Sequence, residues 1–249
     1  MTTRPAARDL AGLARSLVIY RARPWKNRAL ARLYGTILRP GDLAFDIGAH
    51  VGNRSRAMLA AGARVVALEP QPLLHAFLAR DLPPGATLIR AAAGAREGTG
   101  QLAIPRLHPT VASLAPGFAA EMGTAPGFAH VRWDAAETVR VTTLDALIAA
   151  HGAPRFVKID VEGFEDAVLA GLSHPVGWIA FETLPALPRV AAASLERISL
   201  LGRYEFNFIS GETRGFALDA WTDAAGIAAL LARAARSGDV YARLIREPA

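Results

Sequence analysis

Residues 44–55 read AFDIGAHVGNRS. An apolar run ends in an acid, Asp46; Gly48 and Gly52 follow, four apart; Asn53 then supplies a helix-starting residue. A short apolar run of this kind is what a strand buried on both faces produces. Glycines after it let the main chain approach something small and charged. Strand, ligand loop and helix in that order are the opening unit of an α/β sheet.

The alternation continues downstream. ARVVALEP at 63–70 reads as a second strand, and PLLHAFLARD at 72–81 as a helix with Pro72 at its first position. ATLIRAAA at 86–93 and GQLAIP at 100–105 read as strands, TTLDALIAAHG at 142–152 as a helix. RFVKIDVEG at 155–163 and VGWIAFE at 176–182 are strands ending in acids, with a short helix at 164–171 between them. A helix near 190–201 precedes YEFNFIS at 204–210 and TRGFALD at 213–219, spaced like a hairpin; a helix at 221–236 and VYARLIRE close the chain. Residues 105–136, with four prolines and three glycines, read as a long loop in which acceptor choice is expected to lie. Strands separated by helices demand a mainly parallel sheet with right-handed crossovers.

The 249 residues, just over half apolar, fit one domain over 41–249 with a basic helical extension over 1–40. Without cysteine, disulfides, thiolate metal sites and cysteine nucleophiles are excluded. SLVIY at 16–20 and GWIAF at 177–181 are too short to cross a bilayer, and no leader pattern is legible, so a soluble cytoplasmic protein is expected. The net charge is +6, but residues 1–40 alone hold nine basic side chains against Asp9, and the remainder sums to −2. No nucleic-acid partner is expected; the extension reads chiefly as a solvated helical lead-in, with contact to an acidic surface or membrane as the lesser alternative.

In open α/β sheets ligands bind beyond the carboxyl ends of the strands. Four acids stand there: Asp46, Glu69, Asp160 and Glu182. Glu69, at the end of the second strand, is placed to accept hydrogen bonds from both hydroxyls of a ribose. Nicotinamide cofactors and S-adenosylmethionine both carry one. The loop lacks the third glycine of the dinucleotide pattern, and an aspartate would repel a pyrophosphate but attract a sulfonium or an amino group. The charge logic favours the methyl donor. In KIDVEGFE at 158–165, Glu165 and Asp166 beyond it suit the first turn of a helix, whereas Asp160 and Glu162 should face the rim, and strand periodicity turns Lys158 to the same face as Asp160.

AFDIGAHVGNRS, VVALEPQP, IRAAAGAREGTGQLAIP, VTTLDALI and FVKIDVEGFEDAVLAGL, in this order, resemble the FkbM family of S-adenosylmethionine-dependent methyltransferases over roughly residues 40–185. The resemblance implies a class I, Rossmann-like fold: a seven-stranded, mostly parallel sheet with helices on both faces and an antiparallel terminal hairpin strand. It also implies methyl transfer to a hydroxyl of a sugar, polyketide or other small metabolite. By that resemblance Asp46, Gly48 and Gly52 form the loop around the donor's methionine portion, Glu69 is the ribose acid, Pro70 ends its strand, Ala92 lies near the adenine side, and Asp160 meets the methyl group and acceptor. His50 and Asn53, in and just after the loop, are counted with the donor-binding set, although the family tolerates other residues at His50. ARDLPPG departs from the asparagines frequent in the family after the second strand's helix.

Asp160 and Glu162 are the candidate bases, with Lys158 holding charge in place. A divalent cation on Asp160 and Glu182 is the less favoured alternative. His108 and Trp133, in or beside the long loop, are weaker candidates for base and sugar platform; the other tryptophans read as packing. Two readings stand against the O-methyltransferase: a nicotinamide-dependent oxidoreductase and a non-catalytic donor-binding domain.

Overall fold

The computed structural model describes residues 6–22, 24–125, 127–211 and 215–245. Helices α1 (Ala7–Arg21) and α2 (Pro24–Gly35) come first, followed by β1 (Leu43–Ile47), α3 (Asn53–Ala60), β2 (Arg64–Leu68) and α4 (Pro72–Asp81). Then come β3 (Ala86–Ile89), β4 (Ala92–Ala93), β5 (Gly98–Ile104), a 3-10 turn (Pro109–Val111), α5 (Phe118–Thr124) and β6 (Ala135–Thr142). The second half runs α6 (Leu144–His151), β7 (Phe156–Ile159), α7 (Glu165–Leu169), β8 (Trp178–Thr183), α8 (Pro188–Leu201), β9 (Tyr204–Ser210), α9 (Ala224–Leu231) and β10 (Gly238–Leu244).

Seven strands form the main sheet in the order β3-β2-β1-β7-β8-β10-β9. β10 is antiparallel to both of its neighbours, and the β1, β2, β3, β7 and β8 pairings are parallel. This is the class I methyltransferase sheet. The parallel strands end where β10 begins, so Asp239, second in β10, lies opposite Glu182 of β8. One rim thus collects acids from the ends of four strands and the start of a fifth.

Side chains alternate across the strands, so each face has its own core. Phe45, Ile47, Val157, Ile159, Ile179 and Phe181 meet α6, α7, α8 and α9 on one side. Ala44, Val65, Ala67, Phe156 and Tyr241 meet α2, α3 and α4 on the other. Local signals start the helices where expected. Pro72 opens α4, Thr143 accepts from the Ala146 amide (3.0 Å), and Asp223 from that of Gly226 (2.8 Å).

The structure departs from the sequence reading in four places. First, 86–93 is two strands: β3 in the main sheet, then β4 in a second sheet of order β4-β6-β5. Second, the supposed loop 105–136 contains the 3-10 turn and α5, and β6 begins at Ala135. Its Phe118 and Met122 are buried with Leu187 in a small core of their own. Third, residues 213–214 of the expected hairpin strand lie outside the described residues, and 215–219 form no strand; β9 pairs instead with β10. The Asn207 side chain holds the Leu218 backbone through both its amide nitrogen (2.8 Å) and its oxygen (3.1 Å), which ties the segment down without a ladder. Residues 246–247 of VYARLIRE also lie outside the described residues.

Fourth, the N-terminal helices are not a solvated lead-in. Tyr34 of α2 is wholly buried against Phe156 (ring centroids 5.3 Å apart). α1 lies so close to the 105–110 segment that a Cβ on Gly12 would meet the Arg106 carbonyl oxygen at 2.0 Å. Charge in this segment serves internal pairs: Asp9 with Arg106 (3.0 Å), Arg8 with Asp134 (3.3 Å), and Arg21 with Asp81. Arg4 and Arg23 lie outside the described residues.

Tyr204 offers a test of the packing beside β9. Its buried hydroxyl donates to the Val176 carbonyl (2.7 Å) and accepts from the Val176 amide (2.9 Å). Tyr204→Phe leaves both backbone groups unpartnered, so urea unfolding should show a loss of about 1–3 kcal/mol.

Candidate active site

Two adjoining hollows open at the acidic rim. The narrower, about 50 Å³, is lined by Glu69, Pro70 and Gln71 after β2, by Ala91–Ala93, and by Pro109, Thr110, Ala112 and Leu114. The larger, about 440 Å³, is walled by Ile19 and Tyr20 of α1 and by Trp25, Leu30 and Leu33 of α2. Asn53, Arg54, Glu182 and Asp239 also line it. Gly48, His50, Thr110, Asp160 and Glu162 line both. A ligand spanning the two hollows must pass those five residues.

Glu69 anchors the narrow side. One carboxylate oxygen accepts from the His50 amide and the other from the Gln71 amide, each at 2.8 Å. Each oxygen keeps a second lone pair for a ligand hydroxyl. Burial raises its pKa to about 8, against the pull of those two amides. Gln71 also donates to the Pro109 carbonyl (2.9 Å), which ties the 105–114 segment over the same hollow. That segment therefore lines the narrow side, and of it only Thr110 reaches the large cavity; α1 and α2 wall the space where acceptor choice was expected to fall to the 105–136 loop.

Gly48 has a left-handed φ of 88°, and a Cβ there would lie 1.9 Å from the Asp160 carbonyl oxygen. The glycine thus lets the loop pass against the end of β7, a constraint from the protein's own backbone. Among the described residues, the non-glycine positions with left-handed φ are His50 (51°) and Glu162 (55°), both shared by the two hollows. Backbone strain of this kind persists only where surrounding bonds enforce it. His50 is held by Glu69 and, through Nε2, by Ser16 Oγ of α1 (3.0 Å). The Glu162 carbonyl accepts from Ser113 Oγ (2.6 Å). Burial lowers the His50 pKa to about 4, so its ring is neutral near pH 7.

On the floor of the large cavity, Asp160, Glu162 and Glu182 bring carboxylate oxygens within 4.8 Å of one another. Lys158 lies beneath, wholly buried, its Nζ 3.3 Å from Asp160 and 3.1 Å from Asp239. Arg54 adds a second cation, 3.5 Å from Asp160 and 3.0 Å from Asp239. Burial works to raise the Asp160 pKa, but Lys158 and Arg54 outweigh it and hold the carboxyl below its usual value. For Glu162 and Glu182 burial comes first and the charge of Asp160 adds to it, so both lie well above the carboxylate range. Two cations thus stand against Asp160 and Asp239, and beside them lie two acids in which burial and the charge of Asp160 favour the protonated form.

The sequence candidates separate on this geometry. Gly48, His50, Glu69, Pro70 and Ala92 line the narrow hollow, and Asn53 lines the large one. Asp46 and Gly52 line neither. Asp46 is wholly buried beneath the loop; Oδ2 accepts from Ser55 Oγ, while Oδ1 has no partner. Lys158 also stays out of both hollows and acts on Asp160. His108 is half-buried beside His130, and Trp133 donates to the Val111 carbonyl (3.0 Å) and packs on Phe118; neither lines the cavities. Trp25, read as packing, lines the large cavity instead. Arg54, Asp239 and Tyr20 were missed. An arginine in a helix's first turn, where the dipole disfavours it, was the one available signal of a local acid cluster.

A family model described as "Methyltransferase FkbM domain" matches residues 46–235. The chain belongs to the FkbM methyltransferase family. Membership makes this an S-adenosylmethionine-dependent methyltransferase and displaces the nicotinamide reading. No curated protein matches this FkbM member in sequence. Among solved structures it is similar to an O-methyltransferase from Bacillus cereus in complex with SAH, at 13% identity over 98% of this chain and 93% of that one, TM-score 0.48. It is similar also to a TehB-like SAM-dependent methyltransferase from Corynebacterium glutamicum, at 12% identity over 90% and 96% of the two chains, TM-score 0.47. A third is a precorrin-6y C5,15-methyltransferase from Geobacter metallireducens, at 16% identity over 86% and 87%, TM-score 0.40. At this distance none of them informs what the FkbM member acts on.

The donor fits the residues present. Glu69, its two oxygens oriented by backbone amides, offers one acceptor and, while protonated, one donor to a pair of ribose hydroxyls, and the unpartnered Asp46 Oδ1 is a buried acceptor with nothing of the protein's own to bind. Because the folded protein keeps Glu69 protonated up to about pH 8 and Glu165 up to about 7, against 4.5 for both when exposed, the folded state binds more protons than the unfolded state between those values. Stability should therefore fall as pH rises from about 4.5 to about 8 and level off above that, and Glu69→Gln should flatten the melting-temperature profile across this window; an unchanged slope would assign the protons elsewhere.

Proposed function

We propose that this protein transfers the methyl group of S-adenosylmethionine to a hydroxyl oxygen of a small, sugar-like or other secondary metabolite. The observation that carries this reading is the junction of the two hollows at Asp160 and Glu162, beneath a cavity large enough for a small acceptor. The donor's ribose lies on Glu69, with Pro70 and Ala92 beside the adenosine; Gly48 and His50 border its methionine portion. The donor supplies an electrophilic methyl on a sulfonium.

The acceptor hydroxyl stands between Asp160 and Glu162. As its oxygen bonds to the methyl carbon, the carbon–sulfur bond breaks toward sulfur, and the hydroxyl proton passes to the Asp160 carboxylate. Alignment is the larger part of the work, because sulfonium is already a good leaving group. Lys158 and Arg54 keep Asp160 ionised and ready to accept. Glu162 and Glu182, protonated, can donate to other oxygens of a polyhydroxylated acceptor. Glu162 supplies a third oxygen to the pair first considered for a divalent cation. Yet Lys158 and Arg54 already balance Asp160, and a cation would have to displace the protons on Glu162 and Glu182. Direct proton acceptance is the reading we favour.

Calorimetric titration with S-adenosylmethionine, with NADH as control, tests the donor assignment. Saturable binding of the donor alone is expected, lost in Glu69→Ala while circular dichroism stays unchanged. Asp160→Asn should keep donor binding and slow methyl transfer by at least about 100-fold. Normal turnover of that variant would remove Asp160 from the chemistry. Donor binding without transfer to any hydroxylated compound would favour the non-catalytic alternative.

A further inference from the structure

The outward surface of the two N-terminal helices lies outside both hollows except at Trp25, which lines the larger. On α1, Ala7, Leu10, Ala11, Ala14 and Val18 are exposed, Leu10 at 49% and Val18 at 66%. With 3.6 residues per turn these five fall within about 100° of one another. The buried Gly12 and Ser16 occupy the opposite side. Arg15 is exposed along one flank of this apolar stripe. On α2, Trp25 (53% exposed), Arg28 and Arg32 follow one another at spacings of three and four, which is a single helical face. The segment's own acid, Asp9, is turned inward onto Arg106, and the neighbouring Asp134 is engaged by Arg8.

We propose that this surface docks on an anionic lipid surface. An apolar stripe, an exposed tryptophan and flanking guanidinium groups are what the boundary between headgroups and acyl chains selects. A nucleic acid would meet the arginines but leave Leu10 and Val18 in water. A two-fold contact with a second copy would set arginines of like charge against each other. No helix among the described residues is long and apolar enough to cross a membrane, so the contact is peripheral. Trp25 also borders the large cavity, whereas on α1 the cavity-lining Ile19 and Tyr20 lie on the side away from the stripe.

The test is co-sedimentation of the full chain with vesicles of phosphatidylcholine alone and of phosphatidylcholine with phosphatidylglycerol. Binding is expected only to the anionic vesicles, and it should weaken as salt rises. Val18→Glu should lower it more than about tenfold, and Arg28→Gln and Arg32→Gln about fivefold each. All three side chains are exposed, so melting temperatures should stay at the wild-type value. Absence of wild-type binding at low salt, equal binding to neutral vesicles, or variants that bind as well as wild type would overturn the proposal. So would a dimer that Val18→Glu dissociates, or binding to a single-stranded oligonucleotide with vesicles ignored. No methyl donor is needed, so the result is independent of the catalytic reading.

Discussion

A lysine ammonium with no access to water must be answered by carboxylates, and Lys158 imposes that requirement on the whole rim. Its Nζ stands between Asp160, just beyond β7, and Asp239 of β10, with β8 in between. Arg54 reaches the same two acids from α3, so a helix and two strands are joined by one charge network. The two cations balance two carboxylates. Glu162 and Glu182 have no ion pair of their own, so burial and the charge of Asp160 favour their protonated forms. That surplus of acid over base is what the proposed transfer to a hydroxyl would use.

A second chain of bonds joins the narrow hollow to the N-terminal helices. Glu69 holds the His50 amide, the His50 ring meets Ser16, and Arg21 donates to the Val51 carbonyl while pairing with Asp81 of α4. Tyr20 packs edge-on against the same ring, 5.2 Å between centroids. The loop is therefore clasped from below by the β2 end and from above by α1. That clasp keeps His50 in a conformation that costs energy on its own, and it makes α1 a wall of the site.

Much of the fold was legible because strands buried on both faces appear as short apolar runs, as in LAFDI, RVVAL and WIAFET. Acids beyond those runs stood out for the same reason. The errors fell where neighbours far along the chain decide the structure. β6 carries alternating polar residues that suit a sheet of its own, AAETVRVT, and the proline-rich segment before it obscured the pattern. Nothing local distinguishes 213–219 from 238–244 as the partner of β9; the open edge of β8 does, since it can take only a strand that pairs on both sides.

The sequence by itself determined the alternation of β1, β2, β7 and β8 with their helices, the glycine loop, the acids at the strand ends and the family, because each of these is carried by residues close together in the chain. Only the tertiary structure decided that Arg54 and Asp239 complete the site, that Asp46 sits behind the loop and not in it, and that α1 and α2 wall the larger cavity. It also decided which acids hold a charge. Burial and distance to other charges set that, and both come into being when β10 slots between β8 and β9.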